Sequence, residues 1–180
     1  MNKSMKVLFD EHEIIVNAID TAQQAKLLIG KDDAAYEKLI TQLIGFFRNY
    51  ADKYHHFKEE EILFPEMAKR NELLADGVIK EMFENHADFR VMIKNIETSL
   101  NKKQYPHAQL LLEEYTEALL DHIAVENDEV FQTAETIFSE EELEKIYFRF
   151  EDCDRELGNA KKEELKELAD TLRKNLLMAD

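Results

Sequence analysis

Residues 54–67 read YHHFKEEEILFPEM, and residues 121–131 repeat their pattern as DHIAVENDEVF. Each stretch carries a histidine with a glutamate four residues on, His55 with Glu59 and His122 with Glu126. Residues at i and i+4 lie one turn apart on one face of a helix. Each pair can therefore offer an imidazole and a carboxylate to the same point, provided the stretch is helical.

The flanking residues say that it is. Around His55 the apolar positions Ile40, Ile44, Phe47, Ala51 and Ile62 fall at helical steps, and around His122 so do Leu111, Tyr115, Ala118 and, beyond Glu126, Thr133. Two further stripes have the same form: Met5, Leu8, His12, Ile15, Ile19 and Ala22, then Ile79, Met82, His86, Phe89, Ile93, Ile96 and Leu100. Four glycines and two prolines leave few turns, so the elements must be few and long. Gly30 stops a first helix running from Ser4 to Leu28, and Asp32 or Asp33 caps the second. Pro65 should kink or end the last turns of that second helix. A third helix starts near Gly77 and breaks at residues 101–105, NKKQY; Pro106 opens the fourth. Ser139 with Glu142 predicts a capping box, Gly158 a stop, and Lys161 to Met178 a last helix. The expectation is an all-α chain of one domain over residues 1–180. An up-down-up-down four-helix bundle spans about 4–137, and a C-terminal helical hairpin spans about 140–178.

Bulk properties narrow the function. A formal net charge of −16 repels phosphate backbones and anionic lipid, so neither nucleic acid nor a membrane is an expected partner. The single cysteine, Cys153, forms no internal disulfide and no thiolate metal site. With no signal-peptide core at the start, the cytoplasm is the expected location.

Each long helix thus places one histidine in its own apolar stripe: His12, His55, His86 and His122. Their heights agree. His12 precedes Gly30 by 18 residues, roughly 27 Å at ~1.5 Å per residue, and His55 follows Asp33 by 22, roughly 33 Å. His86 and the His122/Glu126 pair each lie about 25 Å from the break between helices three and four. In antiparallel helices all four reach nearly one layer. A lone histidine on an apolar face is usually a core residue with a satisfied ring. Four at one level, with two carboxylates whose burial is expensive, read instead as metal ligands.

The run at residues 55–61, HHFKEEE, offers a second frame, His56 with Glu60. The face of His56 continues through Gln42, Gly45, Asn49 and Asp52, which is polar. Periodicity therefore favours His55 with Glu59. It leaves His56, Glu60 and Glu61 to solvent or to a supporting role, and His107, at a helix start, to the surface. Imidazole and carboxylate without sulfur suit iron, manganese or zinc, and two facing glutamates can bridge two metals. Ferritin-like di-iron proteins use Glu-x-x-His; no histidine here has a glutamate three residues before it.

FDEHEII around His12, YHHFKEEEILFPEM, ENHADFR around His86 and DHIAVENDEVF together resemble the hemerythrin-like (HHE cation-binding) family over about residues 5–135. The family's hydrophobic-aromatic pair eight and nine residues after each His-x-x-x-Glu histidine is matched by Leu63-Phe64 and Val130-Phe131. The resemblance implies His12, His55, His86 and His122 as terminal ligands. It implies Glu59 and Glu126 as bridges between two iron ions, themselves oxo- or hydroxo-bridged, with manganese or zinc as alternatives. It departs from oxygen carriers at Arg90, where they have a fifth histidine, and at Glu126, where they have an aspartate. The site is similar to the four-His, two-Glu variety of bacterial iron-repair, nitric-oxide-responsive and eukaryotic iron-sensing members.

The expected function is a soluble di-iron protein that binds or reacts with O2, NO or peroxide, in oxidative or nitrosative stress or iron handling. Ile15, Ile44, Phe47, Met82 and Phe89 are expected to wall a pocket suited to a small neutral gas. Arg90, His56 and Tyr115 are expected as supporting residues, with Arg90 donating to a bridging glutamate or a bound anion. The alternative is an iron- or oxygen-sensing module without catalysis. A hydrolytic dinuclear enzyme is disfavoured, because no further catalytic arrangement accompanies the ligands.

Overall fold

The computed structural model describes residues 1–177, which are helical with no strand. Helix α1, Lys3–Gln24, begins where the Asn2 side chain accepts the Ser4 N–H at 3.0 Å. It tightens into a 3-10 turn, Ala25–Leu28, and stops at Gly30, whose φ of +77° suits a residue without a Cβ. Asp32 caps α2 by accepting from Ala35 N at 2.9 Å.

Helix α2 spans 33–70 in four stretches: regular Asp33–Phe46, π-type turns at Phe47–His56 and Glu59–Leu63, and regular Phe64–Arg70. Pro65 neither ends it nor leaves a loose carbonyl. The Glu61 carbonyl, four residues before the proline, accepts instead from Arg149 Nη2 at 3.1 Å. A short turn, Glu72–Leu74, and a kink with Gly77 at φ −100°, ψ −117° lead to α3, Lys80–Asn101. Lys103, at φ +58°, turns the chain into α4, which spans 105–137 with a π-type turn at Glu126–Val130. The capping box at Ser139 opens α5, Glu140–Leu157, and Gly158 separates it from α6, Asn159–Leu177. The expected end at Met178 lies outside the described residues.

The contacts of α2 with α3 run in opposite senses: Arg48 meets Glu97, Asp52 meets Arg90, and Glu60 meets His86. So do those of α1 with α4, where Ala22 meets Gln109 and His12 meets Glu126. The stripes of α1, α2 and α3 are buried as the periodicity predicts. On α4 the buried ridge runs through Ala108, Leu112, Tyr115, Leu119, His122 and Glu126, with Leu111 and Ala118 flanking it half-buried. Past the π-type turn it passes to Phe131 and Ala134 rather than Thr133, because one extra residue per turn shifts the phase of everything that follows.

The apolar core is in two parts. One cluster includes Ile15, Ile19, Ile44, Phe47, Phe89, Ile93, Tyr115 and Leu119; the other includes Met5, Leu8, Ile62, Phe64, Met82, Val130 and Phe131. Along each of α1 to α4 the residues between them are His12, His55 and Glu59, His86, and His122 and Glu126. A buried polar layer thus divides the core. The C-terminal hairpin packs on α1 and α2. Leu165, Ala169 and Leu172 of α6 join the first cluster, and Leu143, Ile146 and Phe150 of α5 join the second. The hairpin therefore spans the polar layer from outside.

Candidate metal centre

Four histidines reach the layer, and a neighbour holds the outer nitrogen of each. His12 Nδ1 donates to Asn127 Oδ1 at 2.9 Å, His55 Nδ1 to Glu11 Oε2 at 2.9 Å, and His86 Nδ1 to Glu60 Oε1 at 2.8 Å. The Asn85 amide faces His122 Nδ1 at 3.3 Å. At His12, His55 and His86, donating from Nδ1 fixes the ring and leaves Nε2 bare toward the interior, the arrangement that outer partners impose on metal-ligating histidines; at His122 the Asn85 amide nitrogen fixes the ring without setting that tautomer.

Inside, the two carboxylates face the bare nitrogens. Glu126 turns Oε2 to His12 Nε2 and Oε1 to His122 Nε2, both at 3.1 Å. Glu59 turns Oε1 to His55 Nε2 at 3.4 Å and Oε2 to His86 Nε2 at 3.7 Å. Each glutamate thus sends one oxygen to a His12/His55 side and one to a His86/His122 side. His86 Nε2 and His122 Nε2 lie 2.9 Å apart, about the separation of two adjacent nitrogens on one metal at ~2.1 Å bonds. His12 Nε2, His55 Nε2 and all four oxygens of Glu59 and Glu126 are buried with no hydrogen-bond partner. Buried polar atoms in folded proteins are normally satisfied. Six such atoms converging from three helices, with His86 of α3 beside them, form a donor set that fits divalent cations of the iron, manganese or zinc type.

The electrostatics show the same demand for positive charge. Burial opposes protonation of His55, but the Glu59 carboxylate and the Glu11 hydrogen bond outweigh it and raise its pKa to about 10. His86 is likewise raised to about 9 against burial, by the nearby Glu126 carboxylate and the Glu60 hydrogen bond. Burial would push the Glu126 carboxyl up, yet the adjacent His122 and His12 imidazoles hold it well below the usual carboxylate range. Without a cation, protonated imidazoles must offset two buried carboxylates.

The polar helical face of His56 leaves it to solvent or to a supporting role, and of the two the structure excludes solvent, since the residue is 2% exposed. The ten-residue π-type stretch Phe47–His56 rotates less per residue than an α-helix, so by its end the phase has slipped inward. His56 and Lys58 are buried in consequence, beside His55 and Glu59. The His56 ring stacks on His86 at 3.7 Å between centroids and 12° between planes. Burial and the neighbouring His86 charge push its pKa well down, so it is held neutral.

Arg90 also sits elsewhere than expected. It does not reach Glu59 or Glu126; it is exposed and donates to Asp52 at 2.8 Å and to Glu60 at 2.7 Å. Its influence on His86 passes through Glu60. Tyr115 is buried against Phe47 and Phe89. These three, with Ile93, His56 and Arg90, help to line a cavity of about 260 Å³ beside the layer. Ile15, Ile44 and Met82 are buried in the two core clusters and do not line it. His107 lies on the surface.

Sequence reasoning missed Glu11, Asn85, Asn127 and Lys58. Lys58 is fully buried between Glu11 and Asp154, 2.7 Å from Asp154 Oδ1, with its ammonium 3.8 Å above the Tyr54 ring. Tyr54 and Lys162 also donate to Asp154. A chain of charges therefore runs from His55 through Glu11 and Lys58 to α5 and α6. The available signals were faint: Glu11 and Asn127 each adjoin a ligand in sequence, and Lys58 falls between His55 and Glu59.

Among the described residues no helix is long and apolar enough to cross a membrane. A family model, the hemerythrin HHE cation-binding domain, matches residues 4–134, which carry every residue of the layer and stop short of the C-terminal hairpin. No curated protein and no solved structure matches the chain.

Proposed function

Because this chain belongs to the hemerythrin HHE cation-binding family, we propose that it is a non-haem di-iron protein of the cytoplasm that binds or reacts with O2, NO or peroxide. The observation that carries this reading is the opposed pair of carboxylates, each with one oxygen toward His12 and His55 and one toward His86 and His122. Two glutamates so placed suit two metal positions rather than one. In this reading α1 to α4 run up-down-up-down as one bundle, the C-terminal hairpin braces it within a single domain, and manganese or zinc could take the same donors.

When bound, the iron pair supplies redox chemistry and coordination positions for a small ligand. The residues of the chain prepare the place. Asn127, Glu11 and Glu60 hold the imidazoles of His12, His55 and His86 in the tautomer that keeps Nε2 free. Phe131, stacked on His12 at 5.4 Å, and Phe89, at 5.2 Å from His122, keep bulk water from the donors. The neighbouring cavity has an apolar wall of Phe47, Phe89, Ile93 and Tyr115, and Arg48, Asp52, Lys53, His56 and Arg90 line the rest of it. A sensing role without turnover is the second reading. It is favoured by the position of the layer between two apolar clusters, where cation occupancy would decide how well the helices are held together.

Metal analysis of the isolated protein, with optical spectra of the reduced form under air, peroxide and NO, tests the proposal. Two irons per chain and a spectrum that responds to at least one of the three are expected. One metal per chain, or zinc at full occupancy with no iron uptake, refutes it.

A further inference from the structure

We propose that the cavity between α2, α3 and α4 binds a single-ring aromatic monocarboxylate, its ring against the apolar wall and its carboxylate at the solvent edge. The inference does not depend on how many metals the layer holds. The cavity measures about 260 Å³, and its apolar wall is Phe47 of α2, Phe89 and Ile93 of α3 and Tyr115 of α4. A cavity of roughly 150 Å³ with aliphatic and aromatic walls takes benzene, so this one has room for one ring and a short substituent. The Tyr115 ring stands edge-on to Phe47, at 5.1 Å and 72°, and to Phe89, at 5.8 Å and 87°. Rings that meet nearly at right angles present both faces and edges, which is what an aromatic guest packs against. The alternative is a cleft that holds only water. Two observations favour the organic anion.

Tyr115 is 2% exposed, and its hydroxyl has no hydrogen-bond partner among the described residues. Buried hydroxyls are normally satisfied. Burial and the Asp52 charge push its pKa up, so it remains a donor. The second observation is at the edge, where Arg48, Lys53 and Arg90 line the cavity. Arg48 spends Nη1 and Nη2 on Glu97, and Arg90 spends Nε and Nη2 on Asp52 and Glu60. Each guanidinium is thus already matched by carboxylates, and Arg48 Nε and Arg90 Nη1 are left as spare donors. Lys53 is exposed and has no ion-pair partner among the described residues. One unmatched cation beside an apolar wall calls for a single negative charge on an apolar body. The π-type stretch Phe47–His56 puts these groups together: with more residues in each turn, Arg48, Lys53 and His56 all reach the one cavity. His56 stacks on His86, and Phe89 lies 5.2 Å from His122. A bound ring is therefore one side chain away from the layer without belonging to it.

The test is calorimetric titration of the full-length protein with benzoate, comparing wild type, Lys53→Glu, Ile93→Trp and the surface control His107→Ala, with circular dichroism confirming each fold. Wild type and the control are expected to bind one benzoate per chain, at least about tenfold more tightly than acetate, which lacks the ring, or benzyl alcohol, which lacks the charge. Lys53→Glu lies at the surface and should weaken benzoate at least about threefold while leaving benzyl alcohol unchanged. Ile93→Trp fills the cavity and should abolish both. No saturable binding at millimolar benzoate overturns the inference. So does acetate or benzyl alcohol binding as tightly as benzoate, or benzoate binding that Lys53→Glu leaves unchanged. Benzoate could instead bind a metal in the layer; binding that chelator removes from protein that is still folded shows this and overturns the cavity assignment. None of these results bears on the dinuclear reading, which metal analysis decides.

Discussion

Replacing Lys58 with methionine tests how far the C-terminal hairpin is tied to the centre. The side chain is fully buried and its ammonium lies between Glu11 and Asp154. Methionine fills nearly the same volume, so little cavity arises and the loss is mainly electrostatic. Removing one partner of a buried ion pair costs about 3–5 kcal/mol, because a charge remains buried without compensation. Here Glu11 still receives His55, while Asp154 is partly exposed and still receives Tyr54 and Lys162. The lower end, about 3 kcal/mol, is therefore expected. For a chain of this length ~1 kcal/mol moves the melting temperature by about 2–4 °C, so Lys58→Met should melt roughly 6–12 °C lower by circular dichroism. A cycle with Asp154→Asn should show coupling of about 1 kcal/mol or more between the two positions. A melting temperature within about 2 °C of wild type, or additive single effects, would refute the view that this chain of charges joins the hairpin to His55.

Glu59→Ala should lose metal from both sides of the layer, whereas Glu60→Ala should keep both metals and bind them about tenfold more weakly, since Glu60 acts only through His86 Nδ1; equal loss in the two variants, by metal analysis, would contradict the assignment of roles. A second expectation concerns the metal-free protein, in which His55 and His86 are raised from 6.5 to about 10 and about 9. Groups whose folded pKa lies above the unfolded value contribute stability that is fully present below about pH 6.5 and is lost as the pH rises through 9 to 10. Chelator-treated protein should thus melt progressively lower from pH 7 to pH 10. Metal-loaded protein should vary less and melt higher throughout, by about 4 kcal/mol of added stability at a thousandfold excess over Kd. A flat profile without metal, or coincident curves with and without chelator, would remove the case for charge imbalance in the layer.

The sequence by itself determined whatever depends on neighbours along one helix. The pairing of His55 with Glu59 and of His122 with Glu126 follows from the pitch of a single helix. The ends at Gly30 and Gly158 and the caps at Asp32 and Ser139 follow from the backbone preferences of single residues. Equal heights of four histidines could be read because short connections fix the relative level of successive helices. Tertiary structure decided the rest. The partners behind the imidazoles come from other helices: Glu11 serves His55, and Asn127 serves His12 across 115 positions of chain. No local pattern encodes such meetings. The π-type turns brought His56 inward against its own polar periodicity, because a phase slip accumulates along a helix only when packing selects it. Lys58 reads in sequence as a solvated lysine; only the docking of Asp154 from a helix about a hundred residues away makes its burial tolerable, since a charge is held in a core only where an opposite charge is delivered to it.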